Sequence, residues 1–192
     1  MEKILSLEIP KEEIIYQGKV KKGKKGKGVI RIKDATLENY TYVIFPFKCE
    51  DMGDRLMVVI DELFNEKAYL NEDNYQIDFG RKYASKPCII ITSNNPLSLN
   101  LMKKEIIYDG EVKKTYSGQG IIRIKDRYLG SRSHIIFPIS RKDEGELISI
   151  DIEKICNEGI RSNNPHTCRV LLDKKDVGRD CIITLQKGLG EI

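Results

Sequence analysis

The feature that most constrains this chain is that it contains itself twice. EIIYQGKVKK at 13–22 returns as EIIYDGEVKK at 105–114, VIRIKD at 29–34 as IIRIKD at 121–126, and VIFP at 43–46 as IIFP at 135–138, all at an offset of 92. The NE pair at 65–66 recurs at 157–158, and CIII at 88–91 recurs as CIIT at 181–184 after one inserted residue. The period is longer than the roughly 20–50 residues of solenoid modules, so each copy reads as a small domain and not as one turn of an array. The expected domains are residues 1–95 and 96–192, with a linker near 93–104 where SNNPLSLNLMKK interrupts the strand pattern. Each copy can bury only a modest core, and the two are expected to pack as an intramolecular pseudo-dimer.

Within a copy, apolar residues recur at period two or in short β-branched runs bounded by Gly, Pro, Asn or Asp, which is the pattern of half-buried strands. Strands are expected at 14–22, 28–33, 42–47, 55–60, 75–79 and 87–92, and again at 106–114, 120–125, 134–139, 147–152, 168–172 and 181–186. One short helix per copy is expected among them. Asp61 would cap residues 61–68, with Leu63, Phe64 and Ala68 on a helical stripe, and Glu153, Ile155 and Cys156 correspond in the second copy, ended by Gly159. This leaves no room for parallel crossovers, so the expected fold is mainly β: a tandem duplication of a small antiparallel β-barrel-like domain. VIFPFKCEDMGDRLMVVI, HIIFPISRKDEGELISI and RVLLDKKDVGRDCIITL all read as strand, Gly-containing loop, strand. That layout resembles the swapped-hairpin transcription-factor domains and cradle-loop barrels, and the resemblance implies an architecture without an activity.

Composition narrows the class. The chain has no Trp, is 40% apolar and 32% charged, and has no apolar run long enough to span a bilayer. The first residues, MEKILSLEIPKEE, lack the basic and apolar regions of a secretion signal. Five cysteines fit free thiols in a reducing compartment better than a disulfide framework. The expected location is cytoplasmic. Cys88 and Cys181 fall at matching positions inside apolar strands, where cysteine acts as a small hydrophobe.

The strongest functional lead is GKVKKGKKGKGVIRIK at 18–33, which carries Lys19, Lys21, Lys22, Lys24, Lys25, Lys27, Arg31 and Lys33 with no acid among them. Its glycines, at 18, 23, 26 and 28, would make a flexible connection whose ammonium groups follow a phosphate backbone by charge. Both copies keep a second basic feature: in IRIKD the isoleucines point to one face, leaving Arg31 with Lys33 and Arg123 with Lys125 on the other. Lys21–Lys22 and Lys113–Lys114 are kept too, and Tyr16, Tyr108, Tyr116 and Tyr128 lie near enough to stack on bases. The expected nucleic-acid contacts, to DNA or RNA, are therefore Lys21, Lys22, Lys24, Lys25, Lys27, Arg31, Lys33, Lys113, Lys114, Arg123 and Lys125. The competing reading is that a lysine-rich hairpin and alternating charges describe any solvated edge strand, locally neutralised by Asp34 and Asp126. Net charge is +4, shared as +1 over 1–95 and +3 over 96–192, so any such binding is local and salt-sensitive.

Other chemistry has less support. Asp51-Met-Gly-Asp54 and Asp143-Glu-Gly-Glu146 cluster carboxylates, but Asp-x-Gly is ordinary turn chemistry and lacks the alternating ligands of a calcium loop. Cys156, His166, Cys168 and Cys181 do not have zinc-finger spacing. His134 and His166 have no counterparts in the first copy, and the Gly-Lys pairs are not followed by the Ser or Thr of a Walker loop. No catalytic residue, metal or cofactor is expected. Phe45–Pro46 and Phe137–Pro138 would end a buried strand. The alternatives to nucleic-acid binding are a protein-interaction or scaffold module, and then a ligand-binding or catalytic barrel.

Overall fold

The computed structural model describes residues 5–33, 37–71 and 73–186. The protein is mainly β, and every strand pairing described is antiparallel. The only helical segments among the described residues are three-residue 3-10 turns, and no helix is long and apolar enough to cross a membrane.

The first compact unit spans Leu5–Pro96. Its strands are β1 (Ser6–Pro10), β2 (Ile14–Lys19), β3 (Lys21–Lys22), β4 (Gly28–Lys33), β5 (Tyr40–Asp51), β6 (Arg55–Asn65), β7 (Tyr69–Asn71), β8 (Asn74–Phe79) and β9 (Pro87–Ser93). They form two sheets. The larger runs β2-β9-β5-β6, with β1 alongside the first half of β6, and the smaller runs β3-β4-β8-β7. The chain turns from one sheet to the other at Val20. That residue is 1% exposed, and its N–H and C=O bond to Lys86 and Ser85 instead of a sheet neighbour. The expected single strand over 14–22 is thus two strands meeting at a corner.

Period-two patterning then decides what is buried. Ile30 and Ile32 of β4 and Ile77 and Phe79 of β8 meet Val43 and Phe45 of β5 and Cys88 and Ile90 of β9 in one core between the sheets. Each fully buried aliphatic or aromatic side chain there contributes about 1.5–3 kcal/mol. Phe45 is boxed in by Phe79 and Phe64 edge-on and by Tyr83 stacked at 4.6 Å. The other face of the larger sheet carries a second buried apolar set, including Tyr42, Ile44, Ile89 and Ile91.

The second unit, from Leu97 onward, has β10 (Ser98–Met102), β11 (Ile106–Glu111), β12 (Lys113–Lys114), β13 (Gly120–Lys125), β14 (Arg132–Glu144), β15 (Leu147–Gly159), β16 (Arg161–Asn164), β17 (Thr167–Leu172) and β18 (Asp180–Leu185). The strand order is the same: β11-β18-β14-β15 with β10 beside β15, and β12-β13-β17-β16. Val112, Ile122, Ile124, Ile135, Phe137, Val170 and Ile183 are among its core residues.

Four expectations are corrected. There is no helix at 61–68 or at 153–158, since β6 continues as a strand to Asn65, residues 66–68 are irregular, and β15 runs straight through to Gly159. The helical reading arose because Glu62 and Lys154 interrupt the alternation: each stands opposite the core phenylalanine, Phe45 or Phe137, on the buried face. The segment 93–104 contains β10 and is not a bare linker. Phe45–Pro46 and Phe137–Pro138 do not end their strands; the register shifts there, so proline is housed in a β-bulge. Finally, neither unit is a closed barrel. Each has two open sheets joined at a corner, because the backbone groups of Val20 and Val112 bond to the turn before β9 or β18 and the two ladders never merge.

Candidate functional site

The outward face of β4 is the one left when Ile30 and Ile32 enter the core, and it presents Val29, Arg31 and Lys33. Directly opposite on β8 stand Asp78, Gln76 and Asn74, and beyond them Tyr69 and Asn71 of β7 lie opposite Gln76 and Asn74. These groups satisfy one another. Arg31 Nε donates to Gln76 Oε1 at 3.3 Å, Asn71 donates to the same oxygen at 2.8 Å, Gln76 Nε2 donates to Tyr69 Oη and Asp78, and the Tyr69 hydroxyl donates to Asp78 at 2.6 Å. The bonds from Tyr69 and Gln76 hold the Asp78 carboxyl below the usual carboxylate range, so it remains ionised beside Arg31.

Between β3 and β4 the chain turns through Lys24–Gly26, with Lys25 at φ 57° and Gly26 at φ 76°. Lys21, Lys22, Lys24, Lys25, Lys27, Arg31 and Lys33 are all exposed. The sequence expectation that Asp34 neutralises this strand lies outside the described residues.

In the second unit the same face carries Lys113 and Lys114 on β12 and Arg123 and Lys125 on β13, again exposed. Its cross-strand partners differ. Arg123 stands opposite Arg169 of β17, and Arg169 stands opposite Arg161 of β16; these replace the Gln76 and Tyr69 of the first unit. Arg161 and Arg169 were not among the residues expected from sequence. Arg169 was legible as outward, since Cys168 and Val170 flank it, but the register that aligns three arginines across three strands is not. Of the eleven cations expected to form the site, only Lys113 lies within 4 Å of a carboxylate among the described residues, Glu111 at 3.9 Å.

The tyrosines sort themselves differently from the expectation. Tyr16 donates its hydroxyl to the Lys19 carbonyl at 2.6 Å and Tyr108 to that of Glu111 at 2.7 Å. Each ring folds over the glycine two residues on, where an added Cβ would meet the hydroxyl at 3.1 Å. The repeated Tyr-x-Gly is therefore a packing motif, and burial pushes both phenols up. Tyr128 packs on the core and takes a hydrogen bond from Arg127. Only Tyr116 of the four, on the turn between β12 and β13, is fully exposed.

The glycines of the basic segment are likewise not a flexible tether. Gly28 is buried and in strand β4, and only Gly26 among them has positive φ.

Several charged groups outside this face pair with one another. Asp51 accepts from Lys11 at 2.6 Å and from the Gly53 N–H at 2.9 Å; Asp143 pairs with Lys103. Both acidic turns are thus hairpin turns tied to a lysine. A surface groove in the second unit, lined in part by Tyr108, Asp109 and Arg141, is crossed by a bidentate Arg141–Asp109 pair at 2.6 and 2.7 Å. No group of three or more His, Cys, Asp or Glu among the described residues is placed to hold a metal. Burial pushes the Cys88 and Cys181 thiols up to about 12, while Cys49 is exposed. In a thiol-labelling time course at pH 8, Cys49 is expected to react first, with Cys88 and Cys181 protected until the protein is denatured, because the thiolate is the reactive form. Comparable rates for all three would show that the cores open far more readily than their packing implies. No protein-family model matches this chain, and no curated protein or solved structure matches it either.

Proposed function

We propose that this protein is a duplicated antiparallel β unit, cytoplasmic, that binds nucleic acid with little or no sequence specificity. Its contacts are the hairpin lysines Lys21, Lys22, Lys24, Lys25 and Lys27, with Arg31, Lys33, Lys113, Lys114, Arg123 and Lys125 on the outward faces of the smaller sheets. One observation carries the reading. Some cations elsewhere on the surface, such as Lys11, Lys103 and Arg141, are held by carboxylates, whereas of the eleven gathered here only Lys113 has a carboxylate within 4 Å among the described residues. Unmatched cations in rows release counterions from a phosphate backbone and give sequence-independent affinity. A fully exposed Tyr116 between such cations adds a stacking surface for an unpaired base.

The test is fluorescence anisotropy of labelled duplex DNA, single-stranded DNA and structured RNA over a salt series. It compares the intact chain with a variant carrying Lys→Gln at 21, 22, 24, 25 and 27. Binding is expected to weaken steeply with salt. The slope of log K against log salt is expected to fall by up to about 3.5 in the variant, at ~0.7 for each phosphate of a single strand that is no longer neutralised. Absence of binding to all three at low salt would remove nucleic acid from consideration and leave a protein-interaction role.

A further inference from the structure

We infer that Arg123, Arg169 and Arg161 together form a phosphate-binding site on the outward face of the smaller sheet of the second unit. The three lie in one cross-strand row, Arg123 opposite Arg169 and Arg169 opposite Arg161. Directly opposed residues in antiparallel strands have Cβ atoms about 4.5–5.5 Å apart, and like charges so placed repel. A fold normally relieves such a row with a carboxylate. Here none of the three makes an ion pair or side-chain hydrogen bond with any described residue, and the Nε of Arg169 is buried without a hydrogen-bond partner. A buried, unsatisfied donor on a charged group is costly, and a row of three guanidinium groups is the geometry that a tetrahedral, multiply charged oxyanion satisfies, through paired N–H donors.

The first unit supplies the internal control. Its equivalent row is Arg31, Gln76 and Tyr69, and there the donors and acceptors satisfy one another and Asp78. The same face of the same fold is thus closed in one unit and open in the other. Around the open row, Lys125 and Thr167 stand opposite each other two residues along the ladder, on the same face. The Thr167 Oγ1 takes a hydrogen bond from Asn163 at 3.0 Å, which leaves its own hydroxyl hydrogen available to an anion. The site would take a phosphate group, as a monoester or a diester. That the phosphate belongs to a nucleic-acid backbone rests on the function proposed above, and a free phosphate compound is the other source.

The experiment uses the full chain and two variants, Arg169→Met and the exposed Arg161→Gln. The melting temperature of each is measured in sodium phosphate, sodium pyrophosphate and sodium chloride at matched ionic strength, and binding of single-stranded DNA and structured RNA is measured in parallel. The wild type is expected to melt higher in phosphate or pyrophosphate than in chloride, and both variants to lose that difference. In chloride, Arg169→Met is expected to melt no lower than the wild type, since the like-charge row is relieved; an arginine with a merely structural role would melt lower. Each variant is expected to lower the nucleic-acid salt slope by about 0.7–0.9. Phosphate-specific stabilisation that is lost in the variants, in a protein that binds no nucleic acid, keeps this site and discards the nucleic-acid reading in favour of a free phosphate compound. Nucleic-acid binding unchanged in both variants, with no phosphate-specific stabilisation of the wild type, overturns the site and leaves that reading intact. A phosphate effect that persists in both variants also overturns it.

Discussion

Replacing Asp176 with alanine is expected to cost the second unit about 3–5 kcal/mol of stability, because it removes one partner from a buried ion network. Asp176 is 1% exposed. It accepts two bonds from the Lys154 ammonium, at 2.8 and 3.0 Å, and one from Arg179 at 3.1 Å. Arg179 also pairs with Glu153. Both cations lie over the Phe137 ring, at 5.0 Å for Lys154 and 4.6 Å for Arg179. Without the carboxylate, Arg179 keeps Glu153, but Lys154, whose side chain is only 12% exposed, keeps a charge in apolar surroundings with nothing but a ring face to offset it. The double variant Lys154→Met with Asp176→Leu is expected to recover most of the loss, since replacing a buried pair by apolar groups is often neutral or stabilising. Urea denaturation of the three proteins measures both effects. A loss below about 1 kcal/mol in Asp176→Ala would place the network among surface pairs of little consequence.

The equivalent place in the first unit reaches the same end with other residues. Glu62, opposite Phe45 as Lys154 is opposite Phe137, accepts the hydroxyl hydrogen of Tyr83 and pairs with Lys82 at 3.6 Å. Tyr83 stacks on Phe45. In both units a polar residue of the long second hairpin strand enters the core beside a phenylalanine and is met by the 3-10 turn that precedes the last strand. The charges are reversed, so the requirement is for a satisfied polar contact and not for one sign of charge.

These inward polar residues explain what was legible in the sequence and what was not. Strict alternation in IRIKD placed the faces of β4 and β13 correctly, and the repeat predicted that the two halves would show the same run of strands. Where Glu62 and Lys154 face inward, alternation fails, and the apolar residues beside them, such as Leu63 and Phe64 or Ile155 and Cys156, mimic a helical stripe. β1 and β10 were missed because five residues such as SLEIP and SLNLM carry only two inward apolar side chains each, too few to separate a strand from a linker. Candidate cations were recognisable from composition and alternation, but their pairing was not. Whether Arg31 meets Gln76, or Arg123 meets Arg169, depends on register between strands more than forty residues apart, and pair distances of that kind are not encoded locally. The glycines of the basic segment are misread for a related reason: a glycine needed for close packing and one needed for flexibility look the same in one dimension.

That ambiguity can be resolved at Gly28. Gly28→Ala is expected to destabilise the first unit by about 1–3 kcal/mol, the usual range for overpacking a filled core. An added Cβ would sit 2.6 Å from Val20 Cγ1 and 3.1 Å from Phe79 Cβ, and Val20 cannot retreat because its backbone is pinned at the corner between the sheets. The matching Gly120 is hemmed in as well, with the Asp173 carbonyl oxygen and Val112 Cγ1 both at 3.0 Å. Gly80 is the control. Its φ of −60° suits any residue, nothing lies within 4 Å of its added Cβ, and the second unit carries Asp173 at that position. Gly80→Ala is therefore expected to be neutral or to stabilise by about 0.4–1 kcal/mol, through a less flexible unfolded chain. If glycine served flexibility in the basic hairpin, Gly28→Ala would instead leave stability unchanged and alter binding. Denaturation and anisotropy on the same two variants separate these accounts: packing predicts that Gly28→Ala shifts the urea midpoint while the folded variant keeps its affinity, because an added Cβ at Gly28 faces the core and the hairpin lysines are exposed.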